Sequence, residues 1–487
     1  MGALTWTAPS GRGLRWNMAT QHSETAGSAA GPAGASAHPT TGANQELPRG
    51  GPEHSRLPTA ATVILGPQHK SIPPALWGRP GSQVGTERLP LSTFPTPLFT
   101  LSDTAISRNL ELMSRYARDS GVLLAPHGKT TMSPDLWHRQ LDAGCWGISV
   151  ATPWQAQIAR HAGVQTIVLA NTLLDPTGIA WVAQEMRADR GFRFVCWVDS
   201  PAGVQLLDRV LTDAGAERPL EVIVEVGGPD GRAGVRSQHD GIAVAEAVAA
   251  SRHLRLLGVG GYEGVFAHDR SADDVQRVTD YLAGVTELHA QLVGQGLYPG
   301  QALLTAGGSM YFDLVVDAFT DAARTATAQG VSTSVLLRSG AYLIHDSGTY
   351  DEVSALGSLH AAEALAPGMH VFSRVLSRPE PGLAILDAGK RDVPFDYGLP
   401  VPLRVLGDAS PETEQALAAA TMRTLNDQHL FLDLPAGTSA AALPVGAVVQ
   451  LGLSHPCTAF DKWRLVTTVD DATSEEPHVT GFLPTYF

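Results

Sequence analysis

Eight short apolar runs, each followed by a helix or a helical turn, occupy residues 122–343 of this chain. Alternation of short buried strands with helices favours a parallel sheet, because two parallel neighbours need a crossover connection that is usually a helix. Eight such units match a (β/α)8 TIM barrel in count and length, and a doubly wound open sheet is the alternative. The runs are VLLAP (122–126), GISVA (147–151), TIVLA (166–170), FVCWV (194–198), EVIVEV (221–226), LRLLGVGG (254–261), ALLTAGG (302–308) and VLLRSGAYL (335–343).

The pattern changes on both sides of the predicted barrel. Strand-like pieces broken by Pro and Gly dominate the carboxyl-terminal part, which predicts a second, mostly β domain over residues 351–487. Residues 1–65 are rich in Gly, Ala, Ser, Pro and Thr and have almost nothing to bury, so we predict a disordered leader. Between these segments we expect residues 66–100 to pair with the β domain and residues 101–350 to form the barrel.

Composition narrows the class of partner. The net charge of −14 comes without blocks of like charge, which argues against a nucleic-acid binder and favours a small-molecule partner. Three widely spaced cysteines cannot form a disulfide framework, and this favours a reducing compartment. No apolar run is long enough for a membrane span and no secretory signal is recognisable, so we expect a cytoplasmic protein.

The loop after the first predicted strand, APHGKTTMSP, carries Lys129, which is the only lysine in residues 101–350. Barrel enzymes build their sites from the loops at the carboxyl ends of the strands. A lysine at an apolar barrel mouth can have a lowered amine pKa and act as a Schiff-base nucleophile. A solvated surface lysine is the alternative interpretation of this residue.

Further loops at the same end carry groups that suit an anionic cofactor. A Gly-Gly-Ser turn at a helix start presents backbone N–H groups and a hydroxyl to a phosphate, although the bare motif is also simply a turn. A reactive lysine, a phosphate cradle, and Arg and Tyr side chains at one mouth together indicate pyridoxal phosphate. These residues are Arg232, Tyr262, Gly307, Gly308, Ser309, Arg338, Gly340 and Tyr342.

The segment SHPCTAFDKW, residues 454–463, contains a second candidate site. The preceding residues are strand-like, and strand alternation predicts that His455 and Cys457 lie on one face. Imidazole and thiolate together suit zinc better than magnesium or calcium, and two protein ligands leave coordination positions open for catalysis. The alternative is a buried free cysteine beside a core histidine.

Six motifs together resemble those of alanine-racemase-type barrel enzymes, in particular the D-serine dehydratase and D-threonine aldolase family of pyridoxal phosphate enzymes of fold type III. The motifs are PHGKT, GRAGV, YEG, AGGS, RSGAY and HPCTAFDKW, and the resemblance covers about residues 90–487. It implies an alanine-racemase-type barrel followed by a β domain, a pyridoxal phosphate cofactor, a zinc ion, and a homodimer as the common assembly.

The resemblance also implies roles around the cofactor ring. Lys129 would hold the cofactor covalently through its amine, Arg232 would hydrogen-bond the phenolate oxygen, and Tyr262 would stand near the pyridine ring. Two positions depart from the usual pattern: Ser339 replaces the proline of the Arg-Pro-Gly version, and Thr131 replaces a basic residue often found after the Lys-Thr pair. Neither departure removes a chemical group that the cofactor needs.

For the phosphate, the resemblance implies the turn made by Gly307, Gly308 and Ser309. The segment that contains Arg338 and Gly340 fits the place where the racemases have a pyridine-facing arginine and a phosphate-binding glycine. All the residues to which the resemblance gives a role in cofactor binding therefore lie in the predicted barrel.

The metal segment bears on the choice of reaction. In the family His-x-Cys is typical of D-serine dehydratases and His-x-Asp is frequent in aldolases, so His455 and Cys457 imply the former. We predict pyridoxal phosphate- and zinc-dependent β-elimination of a D-β-hydroxy amino acid such as D-serine to a keto acid and ammonia, with Lys129 as base. The alternatives are retro-aldol cleavage of a D-threonine-like substrate to glycine and an aldehyde, and a non-catalytic pyridoxal phosphate-binding protein.

Overall fold

The structure, a computed structural model, describes residues 57–229, 231–408 and 410–487. Most of the predicted leader, residues 1–56, therefore lies outside the described residues. The strands are β1 (Leu98–Ser102), β2 (Leu123–Leu124), β3 (Ile148–Val150), β4 (Thr166–Thr172), β5 (Arg193–Val198), β6 (Leu220–Val226), β7 (Leu254–Gly261), β8 (Gln301–Ala306), β9 (Ser332–Leu337), β10 (Met369–Glu380), β11 (Leu383–Leu386), β12 (Val401–Val405), β13 (Thr421–Leu425), β14 (Leu430–Asp433), β15 (Val448–Gly452), β16 (Leu465–Val469) and β17 (Val479–Pro484). The α-helices are α1 (Gly81–Thr86), α2 (Asp103–Asp119), α3 (Pro134–Asp142), α4 (Pro153–His161), α5 (Pro176–Ala188), α6 (Pro201–Asp213), α7 (Gln238–Ala250), α8 (Ala272–Gly294), α9 (Phe312–Ala328), α10 (Thr349–Val353) and α11 (Pro411–Ala418).

Strands β2 to β9 form a parallel sheet of eight strands within the described residues, in the order β2-β9-β8-β7-β6-β5-β4-β3. The two end strands also meet, because the Trp146 N–H donates to the Leu124 carbonyl at 2.7 Å and the Ser149 N–H donates to the Pro126 carbonyl at 2.9 Å. The sheet is therefore closed into the predicted TIM barrel, and the doubly wound alternative is wrong.

Both faces of the barrel strands are buried, which explains their uninterrupted apolar sequences. On β5, Val195 and Trp197 belong to a cluster inside the barrel, whereas Phe194 and Cys196 belong to the larger core. Complete burial of a large apolar side chain such as Val195 or Phe194 stabilises the fold by about 1.5–3 kcal/mol. The interior cluster consists of Ala125, Val168, Val195, Trp197, Ile223, Leu257, Leu303 and Leu336.

Local sequence signals set the ends of several barrel helices. The Ser271 hydroxyl accepts a hydrogen bond from the Asp274 N–H and caps α8, a long amphipathic helix. Helix α3 begins with Pro134 in its first turn, and Gly144, with φ +98°, follows its end. In the described part of the chain, no helix is long and apolar enough to cross a membrane.

A second, mixed sheet of nine strands within the described residues contains the carboxyl-terminal strands together with β1. Strand β1 pairs antiparallel with β10 and parallel with β16, so the strand that precedes the barrel lies inside the other sheet. At the far end of the chain, the Tyr486 N–H donates to the Met132 carbonyl at 2.9 Å. The carboxyl terminus of the β domain thus reaches the barrel loop that carries Lys129.

Candidate active site

Lys129 lies in a single 3₁₀ turn, Gly128–Thr130, which begins four residues after the end of β2 at the carboxyl end of the barrel strands. Its side chain is half-buried. Burial lowers the pKa of the Lys129 amine, the nearby Cys457 thiol raises it, and the positive charges of Arg232 and Arg338 lower it further. The amine therefore lies among candidate cofactor and metal residues in an environment that favours its neutral, nucleophilic form.

Arg338 follows β9 and is buried at the mouth of the barrel. Its guanidinium donates to the Thr305 hydroxyl and to the Gly261 carbonyl, both at 2.6 Å, and lies 4.8 Å from the centroid of the Trp197 ring. Burial lowers the pKa of this guanidinium. Its Nε atom has no hydrogen-bond partner among the described residues, so one N–H group is available to a ligand.

Arg232 and Tyr262 form a pair beside the same mouth. The guanidinium carbon of exposed Arg232 lies 5.0 Å from the centroid of the Tyr262 ring. Burial is the largest effect that raises the pKa of the Tyr262 hydroxyl, and the Glu263 and Cys457 charges add to it. Tyr262 therefore lies close enough to the carboxyl-terminal segment to be affected by the charge of Cys457.

The Gly-Gly-Ser turn after β8 is engaged in a way that the sequence did not predict. The Gly307 and Gly308 N–H groups donate to the two carboxylate oxygens of Glu263, at 3.1 and 2.6 Å. Sequence reasoning assigned both N–H groups to a phosphate and missed Glu263. The sequence did point to this residue, because Glu263 is the central residue of the YEG motif.

Gly340 allows the ends of two barrel strands to approach each other. A β-carbon at this position would lie 2.6 Å from the His127 carbonyl oxygen, and the His127 N–H donates to the Arg338 carbonyl at 3.1 Å. The close backbone approach, which excludes any side chain, is the role that this geometry assigns to the glycine.

The segment with His455 and Cys457 lies at the barrel mouth but not on a strand. Strand β15 ends at Gly452, so the prediction from strand alternation is wrong. Pro456, which has no N–H group, stands between the two residues and cannot continue a strand ladder. The two side chains are positioned instead by an irregular turn.

Tyrosine rings flank His455, which is buried. Its imidazole centroid lies 5.1 Å from that of Tyr350 and 4.7 Å from that of Tyr397. Burial lowers the pKa of His455, and its Nδ1 atom has no hydrogen-bond partner among the described residues. A neutral imidazole with an unpaired buried nitrogen is suited to bind a metal.

Cys457 is the residue of this segment whose thiol interacts electrostatically with the Lys129 amine. The hydroxyl groups of Thr130 and Tyr350 lie against its thiol; burial raises the pKa of the thiol, and the Lys129 charge lowers it. In the described residues no group of three or more His, Cys, Asp and Glu side chains is arranged to hold a metal. His455 and Cys457 would therefore supply two ligands, and the donor types fit zinc with open positions.

Two further residues differ from the site that the sequence predicts: Glu225 was not predicted, and Tyr342 lies elsewhere. Glu225 is buried near the carboxyl end of β6, and burial together with the Asp199 charge raises its pKa to about 7. The sequence feature that could have identified Glu225 is the presence of an acidic residue inside the apolar run EVIVEV. Tyr342, expected at the mouth, is instead buried in the core, where its hydroxyl accepts a hydrogen bond from Gln140 at 3.2 Å. The other two cysteines, Cys145 and Cys196, are buried in the core.

Two family models match the chain, and together they span more than half of it. The model described as "Alanine racemase, N-terminal domain" matches residues 101–328, which contain most of the barrel. The model described as "Putative serine dehydratase domain" matches residues 368–469, which contain the candidate metal segment.

Several known proteins are similar to the chain over most of its length. The chain is 27% identical to a D-threonine aldolase of an Arthrobacter species over 388 residues, 80% of this chain and 92% of the relative. It is 24% identical to a D-threo-3-hydroxyaspartate dehydratase of a Delftia species over 374 residues, 75% and 92% of the two chains. The crystal structure of D-threonine aldolase from Filomicrobium marinum superposes with a TM-score of 0.66 at 24% identity and covers 82% of this chain and 96% of that one. With its racemase-type barrel and its serine dehydratase-type β domain, the chain belongs to the D-serine dehydratase and D-threonine aldolase family of fold type III.

Proposed function

We propose that this protein is a pyridoxal phosphate-dependent lyase that converts a D-β-hydroxy amino acid such as D-serine to a keto acid and ammonia. The observation that carries the proposal is the position of Lys129, whose amine lies at the barrel mouth near Arg338 and the Cys457 thiol. An amine nucleophile, a buried cation and a metal-type donor meet there. The family relationship supports the same class of chemistry.

The residues present fit both groups that this function needs. The unpaired Nε of Arg338 and the unpaired Nδ1 of His455 are buried polar atoms that lack partners in the described part of the chain. Arg338 would face the cofactor ring, Ser309 would bind its phosphate, and His455 with Cys457 would hold zinc. When bound, pyridoxal phosphate supplies an electron sink for the substrate α-carbon and zinc supplies a Lewis acid at the β-hydroxyl.

Lys129 would act as the base in the elimination. Because its pKa is lowered, a larger fraction of the amine is neutral at a given pH and can accept the α-proton. The β-hydroxyl then leaves as water and hydrolysis releases ammonia. For D-serine the products are pyruvate and ammonia, with no net consumption of water.

Retro-aldol cleavage is the second candidate function, and it is favoured by the relationship to D-threonine aldolase over 80% of the chain. In that reaction a base removes the proton of the β-hydroxyl, and the bond between the α- and β-carbons breaks. The products would be glycine and an aldehyde. The same candidate cofactor and metal residues would serve both reactions.

Product analysis separates the candidates. The purified protein, loaded with pyridoxal phosphate and zinc, is incubated with D-serine, D-threonine and D-3-hydroxyaspartate, with L-serine as the stereochemical control. Keto acid and ammonia in equal amounts from a D-substrate would support elimination. Glycine and an aldehyde without ammonia would establish the aldolase alternative, and no product from any substrate would refute a lyase.

A further inference from the structure

We propose that Glu263 and Ser339 clamp the Gly307–Ser309 turn from its two sides, so that the cofactor phosphate is received by Ser309 and the residues after it. The phosphate would then not depend on the N–H groups of the two glycines. This inference rests on the proposed function, because it concerns the anionic group of the same cofactor. Glu263 and Ser339 would be positioning residues, because they act on the cofactor only through the turn that they hold.

Glu263 holds the donor side of the turn. Its two carboxylate oxygens accept the Gly307 and Gly308 N–H groups at 3.1 and 2.6 Å, and the side chain is buried with no exposed surface. Hydrogen bonds from N–H groups to a carboxylate are stronger than those between neutral groups. Both glycine N–H groups are therefore already satisfied within the protein.

Ser339 holds the acceptor side of the same two peptide groups. Its hydroxyl lies 3.2 Å from the Gly307 carbonyl oxygen and 2.8 Å from the Gly308 carbonyl oxygen, as the donor to both. A proline, which is usual at this position of the motif, has no hydroxyl to donate. The departure from the Arg-Pro-Gly pattern thus supplies one half of the clamp.

The packing around the turn leaves it little freedom. A β-carbon on Gly307 would lie 2.8 Å from a Leu337 methyl carbon, and one on Gly308 would lie 2.7 Å from the Tyr262 ring. Gly307 also has φ +90°, a conformation that favours glycine. The turn is therefore held by contact with Tyr262 and Leu337 as well as by the two hydrogen-bonding side chains.

This arrangement leaves polar groups of Ser309 and Met310 available to bind a ligand. The Ala341 N–H donates to the Ser309 Oγ at 3.2 Å, which leaves the Ser309 O–H free to donate. The Ser309 and Met310 N–H groups have no acceptor among the described residues, and α9 begins at Phe312. A hydroxyl, free N–H groups and a helix start together form an anion-binding group.

Cofactor affinity with and without the phosphate tests the clamp. The cofactor-free full-length protein is titrated with pyridoxal phosphate and with pyridoxal, which lacks the phosphate, and binding is followed by absorbance. We expect Glu263→Gln to weaken pyridoxal phosphate binding about tenfold and Ser339→Ala about threefold, the effects of losing one charged and one neutral hydrogen bond. Pyridoxal affinity should not change in either variant.

The control is Glu221→Gln, the same change at a buried carboxylate paired with Arg193 and Arg255 at the opposite end of the barrel. It should leave both affinities unchanged. Unaltered pyridoxal phosphate affinity in both variants, or equal losses for the two ligands, would overturn the clamp. A wild-type protein that binds neither ligand would instead refute the proposed function, and the clamp with it.

Discussion

The ring of Tyr350 packs against the imidazole of His455, with centroids 5.1 Å apart, and its hydroxyl lies against the Cys457 thiol. Tyr350 belongs to α10, which follows the barrel, and its N–H donates to the Asp346 carboxylate at 2.9 Å. A barrel-end helix therefore supports both candidate metal ligands of the β domain.

Removal of this support should weaken metal binding while leaving the ligands in place. We expect Tyr350→Phe to lower zinc affinity about tenfold, because groups that orient metal ligands typically have effects of this size. Tyr397→Phe is the matched control, since the Tyr397 ring also packs against His455 but is exposed. Competition with a chromophoric chelator measures both affinities, and equal losses would contradict the assigned support.

Loss of either candidate ligand should remove the metal and spare the cofactor. His455→Ala and Cys457→Ala are each expected to lose stoichiometric zinc and nearly all elimination activity, because the remaining ligand holds zinc poorly. Chelator treatment of the wild-type enzyme should give the same loss, reversed by added zinc. His239→Ala, at a histidine whose side chain is 93% exposed, is the control. Activity that survives complete metal removal would refute the metal role.

Replacement of the lysine should abolish covalent cofactor binding. Lys129→Ala removes the only amine side chain in residues 101–350, so we expect the absorbance of the bound cofactor and turnover both to be lost. Lys390→Ala changes an exposed lysine and should behave as wild type. Full turnover by Lys129→Ala would be incompatible with the cofactor assignment.

Two glycine substitutions should shift stability in opposite directions. Gly340→Ala introduces a β-carbon 2.6 Å from the His127 carbonyl oxygen, and we expect a loss of about 1–3 kcal/mol in the free energy of unfolding. Gly284→Ala lies inside α8 with no atom within 4 Å of the new β-carbon, and should gain up to about 1 kcal/mol. Urea unfolding measures both, and similar shifts would contradict the close approach at Gly340.

Buried His289 should make stability fall with acid. Burial lowers its pKa to about 4, from an ordinary 6.5, and its Nδ1 lies 2.9 Å from the Tyr298 hydroxyl. Below pH 6.5 the unfolded chain binds a proton that the folded chain binds only near pH 4, so stability decreases as pH falls.

Between pH 7 and pH 5 this site should account for about 2 kcal/mol of the decrease in the free energy of unfolding. We expect the decrease to be smaller by that amount in His289→Gln, measured by urea unfolding at both pH values. The control His239→Gln should retain the wild-type pH dependence. An unchanged pH dependence in His289→Gln would show that this histidine does not contribute.

The apolar periodicity of the chain predicted the parallel strands and their helices and favoured the barrel, and closure of the sheet in the structure excluded the open-sheet alternative. The runs ending at Val198 and Val226 are buried on both faces in the structure, and continuous burial leaves a continuous apolar pattern in the sequence. The positions of Lys129 and Arg338 after the first and last barrel strands follow from the same pattern. Because strand ends meet at one edge of a barrel, their proximity was also predictable.

Contacts between distant segments could not be read in this way. His455 and Cys457 were predicted on a strand that in fact ends at Gly452, since alternation in the sequence does not record where pairing stops. Tyr342 was expected at the barrel mouth, but its partner Gln140 is 202 residues away and draws it into the core. Such contacts depend on how whole elements pack.

The sequence by itself determined the order of strands and helices and the residue types at the barrel mouth, because burial and helix capping are recorded in neighbouring residues. Only the tertiary structure decided which of these groups are free to bind a ligand. The N–H groups of Gly307 and Gly308 are taken by Glu263, which is 44 and 45 residues away. Hydrogen-bond partners are chosen by distance in space, and no local pattern encodes that choice.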